Sequence, residues 1–204
     1  PMPGSVSFVA CWFVTSICFP PIGPSSTLLA SGSSCGGVFE TRSNQQSDEN
    51  VWYDRAFAFH EGARILGHHK GDIRVFLFNA AFSIELLLKA INAANGKATQ
   101  LSHNLLDLAK DAEIPFSDNQ NATLELLNEI LIWKGRYPTP TKPGRWDNFY
   151  DNVLEKHIIR QRNGKVGITR TNPTTVPTIE NFEVLWDIAN QKWSEIQTDK
   201  YKIE

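Results

Sequence analysis

The stretch "DIRVFLFNAAFSIELLLKAINAAN", residues 72–95, decides the fold. Ile73, Leu77, Ala80, Ile84, Leu87 and Ile91 recur at intervals of 4-3-4-3-4, the repeat of one face of an α-helix. A further stripe, Phe78, Phe82 and Leu86, lies on another face. A helix that is apolar over most of its circumference is buried on most sides, so the spacing predicts a central helix that stops at Gly96. Glu85 and Lys89 interrupt this run four positions apart, the acid N-terminal to the base. Two readings stand. On a narrow solvated stripe the pair contributes only about 0.2–0.5 kcal/mol. In a buried setting each charge needs a partner held in place, because an unpaired buried charge costs several kcal/mol.

The flanking segments supply neighbours for this helix. Trp52, Ala56, Phe59, Ala63 and Leu66 form a single stripe of spacing 4-3-4-3, with Asp48 or Asn50 to cap it and Gly67 with Gly71 to end it. A third helix follows Ser102, with Leu105, Leu108 and Ala112 facing inward. A fourth runs from about Asn121 to Lys134 on Leu124, Leu127 and Leu131, and Gly135 closes it. Pro138, Pro140 and Pro143 then exclude helix through residues 136–147. Helix resumes at Asp147 and runs to about Arg160. The overlapping segment "IIRQRNGKVGIT", residues 158–169, sets Asn163-Gly164 between β-branched residues and reads instead as a short hairpin or irregular insertion near 158–170. The last amphipathic helix spans about Ile179 to Lys200, with Phe182, Leu185, Ala189, Trp193 and Ile196 inward. The fold class is therefore all-α, an antiparallel bundle of about five helices.

Residues 1–47 read differently. Ser, Pro, Gly and Cys punctuate apolar residues, and the first charge is Glu40. The run at 5–19 lacks a positive flank and is followed at once by Pro20, Pro21 and Pro24, against a signal peptide. It is also shorter than the roughly 20 residues a bilayer requires. These residues read as a disordered or non-domain leader, dispensable for folding, with the domain at 48–204. Cys11, Cys18 and Cys35 all fall in the leader, so the body has no thiol for a disulfide framework or a zinc–thiolate site and reads as cytoplasmic. The net charge is −2, and beyond residue 50 acids and bases are equal in number. That balance argues against a strong electrostatic footprint for nucleic acid or a membrane surface. Neither a metal nor a cofactor is called for, since the chain has no phosphate loop and no ligand cluster.

Four motifs occur in order: "SIELLLKA" (Ser83–Ala90), "NGK" (Asn95–Lys97), "HNL" (His103–Leu105) and "RYP" (Arg136–Pro138). Together they resemble the HEPN superfamily of small helical domains associated with nucleotides and RNA. The resemblance implies a bundle that often dimerises, frequently encoded beside a nucleotidyltransferase or in defence and toxin–antitoxin loci. Many such domains are metal-independent endoribonucleases that use an Arg and, four to six residues on, a His late in the domain. Here the only His after Arg136 is His157, too distant to fit. The spacing recurs only in the first helix, as Arg55–His60 and Arg64–His69, where residues five apart point about 140° from one another.

The resulting expectation is a HEPN-like module, non-catalytic, that forms a homodimer or binds a nucleotidyltransferase or antitoxin partner, with RNA as a further possible ligand. One alternative is an endoribonuclease of non-standard composition with His103, Arg136 and Tyr137 as its catalytic residues. A helical structural protein unrelated to nucleic acid is the other. Glu85, Lys89, His103 and Arg136 are expected to converge as a polar cluster, with Glu85 orienting His103 or Arg136. Blander roles stand beside these. His103 suits a helix start beside Leu101, Arg136 suits the carbonyls of a helix end, and Tyr137 suits core packing. Trp133 and Trp146 read as core or interface anchors. Arg160, Arg162 and Lys165, with Arg170 beyond, are the residues placed to touch a nucleic-acid backbone.

Overall fold

The computed structural model describes residues 48–203 apart from 70–71, 98–100, 141 and 164–165. The leader, Gly71 and Lys165 therefore lie outside the described residues. The order of elements is α1 (Glu49–His68), α2 (Ile73–Ala94), α3 (Leu105–Asp111) and α4 (Asp118–Glu129), which continues as a π-helical turn over Ile130–Lys134. After the proline-rich loop come α5 (Arg145–Asn148), a π turn (Phe149–Val153), a 3-10 turn (Leu154–His157), strands β1 (Ile158–Asn163) and β2 (Val166–Thr171), and α6 (Ile179–Ile203). The bundle is helical with one two-stranded antiparallel hairpin.

Local chemistry sets these boundaries. The Asp48 and Asp72 side chains accept from the amides of Asn50 and Arg74 and so cap α1 and α2. Gly96, at φ 71°, ends α2: the Lys97 amide donates to the Asn92 carbonyl and the Gly96 amide to that of Ala93. That pattern is a Schellman motif, and its left-handed residue favours glycine. Ser117 and Gln120 form a reciprocal capping box at the start of α4, three residues ahead of the expected Asn121.

α2 is the core. Packed by α1, α3, α4 and α6, its residues Ile84, Leu87, Leu88, Ala90 and Ile91 are fully buried. Among the described residues it is the one helix long and apolar enough to cross a membrane, yet most of that span is buried inside the bundle. The chain thus covers α2 by itself, so the apolar circumference of this helix does not require a second copy. Tyr53 stacks on Trp193 at 4.8 Å and bonds Asn190, which docks α1 onto α6.

Two sequence expectations need correction. Helix does not continue from Asp147 to Arg160: helical turns of three kinds span 145–157, and Ile158 already pairs with Thr171. Ile73, expected inward, is exposed at the N-terminal end of α2.

Candidate functional site

The polar cluster on α2 exists, and it is buried. Glu85 is 1% exposed and Lys89 is 6% exposed. The Lys89 ammonium donates to Glu85 Oε1 at 2.7 Å, and the Nδ1 atom of His103 lies 2.8 Å from the same oxygen. Helix periodicity places the first two one turn apart on one face. The Trp52 ring of α1 lies 5.6 Å from the Lys89 ammonium, a cation–π contact on its other side. Glu85 Oε2 is buried with no hydrogen-bond partner among the described residues. The solvated-stripe reading of the pair is thereby excluded.

His103 arrives on the loop before α3, and two asparagines hold that loop in register. Asn104 caps α3 with its own side chain, and Asn128 of α4 accepts the Leu105 amide at 2.9 Å. One turn beyond Lys89, Asn92 donates to the Leu108 carbonyl at 3.1 Å. Leu101 is 90% exposed, so it gives the His103 ring no packing support. The ring itself is about half exposed, with one edge on the buried carboxylate. In the neutral ring Nδ1 donates to Glu85, which makes Nε2 the acceptor.

Arg136 does not join this group by any hydrogen bond or ion pair seen among the described residues. Its guanidinium lies 5.6 Å from the Phe78 ring, two helical turns before Glu85 on α2. The cause is local. The Gly135 amide donates to the Ile130 carbonyl at 2.8 Å, closing the π turn. A Cβ on Gly135 would sit 2.8 Å from both that carbonyl and Phe78, so only glycine allows this approach to α2. Tyr137 follows with its side chain exposed rather than packed in the core.

Sequence reasoning passed over three further features. Glu129 is buried and accepts from Trp133 Nε1 at 2.6 Å and from the Arg145 fork at 3.0 and 2.9 Å. This bidentate pair staples the proline-rich loop back onto α4. The Glu129/Trp133 spacing of one helical turn was its only trace in the sequence. Lys134 lies against the rings of Trp133, Trp146, Phe149 and Tyr150, between 4.3 and 5.4 Å from their centroids. Burial pushes its pKa down to about 8. His157, finally, is buried in an apolar setting that pushes its pKa down to about 4.

Trp133 is a core residue, and the partly exposed Trp146 ring lies 5.8 Å from it. On the hairpin, Arg160 and Arg162 share one face of β1, and Arg160 pairs with Glu155. Arg170 sits opposite Ile159 and so belongs to the other face. The exposed arginines thus do not form a single stripe. Among the described residues no group of three His, Cys, Asp or Glu side chains is placed to hold a metal ion.

A family model of the HEPN domain matches residues 50–158, more than half of the chain. No curated protein and no solved structure matches it.

Proposed function

The chain belongs to the HEPN domain family, and from that footing we propose that it works by binding rather than by cleaving RNA. In this reading it is a cytoplasmic module linked to nucleotide, RNA or defence functions, either dimeric or held by a partner such as a nucleotidyltransferase or an antitoxin. The observation that supports it is the dispersal of the residues a cleavage site would need. His103 is held by Glu85, while Arg136 lies over Phe78. One member of each Arg/His pair on α1 is also engaged elsewhere. His60 stacks on Trp186 at 4.0 Å and bonds Glu183, and Arg64 pairs with Glu61. Exposed Phe57 and Ile65 on α1 and Val184 on α6 offer apolar area for a partner or a second copy.

The test combines light scattering with an RNA cleavage assay on the full chain. The expected result is a mass of two chains, or a retained partner, with no cleavage above background. His103→Ala is then expected to lower the unfolding midpoint and change nothing else. Cleavage by the wild type that disappears in His103→Ala and Arg136→Ala, both still folded, would overturn the binding reading. A strict monomer at micromolar concentration would remove the dimer.

One observation favours the endoribonuclease as a second reading. A buried carboxylate holding Nδ1 of a half-exposed imidazole is the arrangement that orients a general base. In that case His103 Nε2 would take the ribose 2′-hydroxyl proton, and Arg136 would have to move from Phe78 to the phosphate. Cleavage with a pH profile set by His103 would support it.

A further inference from the structure

Where α1 ends and α2 begins, the C-terminal part of the chain closes over a cavity of about 800 Å³. Leu66 of α1, Phe76 and Leu77 of α2, Leu126 of α4, Leu154 of the 3-10 turn and Val176 before α6 make its walls apolar. The size falls within the roughly 300–1,000 Å³ of small-molecule pockets. None of its lining residues belongs to the Glu85 cluster, so it is a separate site.

One buried polar side chain lines this apolar space. His157 is 3% exposed, and neither Nδ1 nor Nε2 has a hydrogen-bond partner of ordinary geometry among the described residues. A weak contact with the Thr175 backbone, outside ordinary hydrogen-bond geometry, and the Glu125 charge favour its protonated form, and desolvation outweighs both. At neutral pH the ring is therefore uncharged, one nitrogen a donor and the other an acceptor. A buried polar group without a partner is destabilising for as long as it stays unpaired, and native interiors rarely keep one. A ligand group would satisfy it. The arginines that line the cavity are already committed, Arg74 to Asp72 and Arg160 to Glu155. A carboxylate or phosphate entering here would find no free arginine, and desolvating its charge would go uncompensated.

We propose that this cavity is a binding site for an uncharged, mainly apolar molecule carrying one hydroxyl or N–H group, which hydrogen-bonds to His157. The apolar body displaces water from the walls, and the single polar group pairs with the imidazole. Specificity then comes from the one hydrogen bond, since the walls accept any apolar shape that fits.

Two probes of similar shape test this on the full chain at pH 7: 2-naphthol, which has a hydroxyl, and 2-methylnaphthalene, which has none. Saturable binding of 2-naphthol is expected with a dissociation constant on the order of 100 μM, given its few heavy atoms. The methyl analogue is expected to bind about fivefold more weakly, the worth of one ordinary hydrogen bond. In His157→Leu, which keeps the walls apolar and removes the unpaired group, the two probes are expected to bind equally. The imidazole 15N resonances should move when 2-naphthol binds the wild type. Absence of saturable 2-naphthol binding at millimolar concentration would overturn the proposal. Equal binding of the two probes by the wild type, or a hydroxyl preference that survives in His157→Leu, would do the same.

Discussion

Glu85 and His157 are both buried polar side chains inside one small bundle, and they have been accommodated in opposite ways. Glu85 has Lys89 one turn along its own helix and His103 on the adjoining loop. His157 has no hydrogen bond of ordinary geometry among the described residues, and burial holds it uncharged. The difference lies in where each sits. A helix delivers the residue at i+4 to the same face whatever else the fold does, so Glu85 carries its counter-ion with it. His157 stands where a 3-10 turn passes into a strand, on the lining of a cavity whose wall area is mainly apolar. Losing the proton is the less costly outcome there. Glu85 Oε2 nevertheless lacks a partner among the described residues, which leave even the paired site one bond short.

The largest expected effect comes from breaking the paired site. Lys89→Ala leaves the Glu85 carboxylate buried with only the His103 edge, and should cost about 3–5 kcal/mol in urea unfolding. A loss below about 1 kcal/mol would mean that the pair is far better solvated than its burial implies. Replacing Glu85 and Lys89 together by Leu and Met should cost less than either single change, since no unpaired charge remains.

Acid should expose the unpaired site next. The folded pKa of His157, about 4, lies below the ordinary 6.5. The unfolded chain therefore takes up the proton first as pH falls. The contribution is intact above pH 6.5 and is lost on the way down to about 4, amounting to about 3 kcal/mol at ~1.4 kcal/mol per unit. Subtracting the pH profile of His157→Leu from that of the wild type isolates this loss from the carboxylates that titrate nearby. A flat difference curve between pH 4 and 6.5 would show that the ring is hydrated or paired in solution.

Smaller changes test why Arg136 stays away from Glu85. Gly135→Ala puts a methyl group against the Ile130 carbonyl and Phe78, and should cost about 1–3 kcal/mol by overpacking. An alanine variant as stable as the wild type would show that the π turn relaxes freely. Arg136→Ala removes one exposed cation–π contact and should change stability by no more than about 0.5–1 kcal/mol. A larger loss would place Arg136 in the Glu85 cluster after all.

Much of the fold was legible. The α2 stripe, the Gly96 stop and the hairpin around Asn163 are all signals carried by residues a few positions apart, whereas the Ser117/Gln120 capping box went unread and α4 starts three residues before the expected Asn121. The convergence of Glu85, Lys89 and His103 was legible for the same reason, since the loop between α2 and α3 is short. The fourth member of that expected cluster was not. Arg136 is separated from α2 by two helices, α3 and α4, and the π turn that ends α4 aims it toward Phe78.

The sequence by itself determined the all-helical class, the order and most ends of the helices, and the pairing of Glu85 with Lys89. Each of these depends on local periodicity or capping, which 3.6 residues per turn converts directly into geometry. Only the tertiary structure decided that the pair is buried, that Arg145 closes on Glu129 sixteen residues away, and that His157 lines a mainly apolar cavity with no hydrogen bond of ordinary geometry among the described residues. Burial is a sum over neighbours brought from distant parts of the chain, and no window of sequence contains that sum.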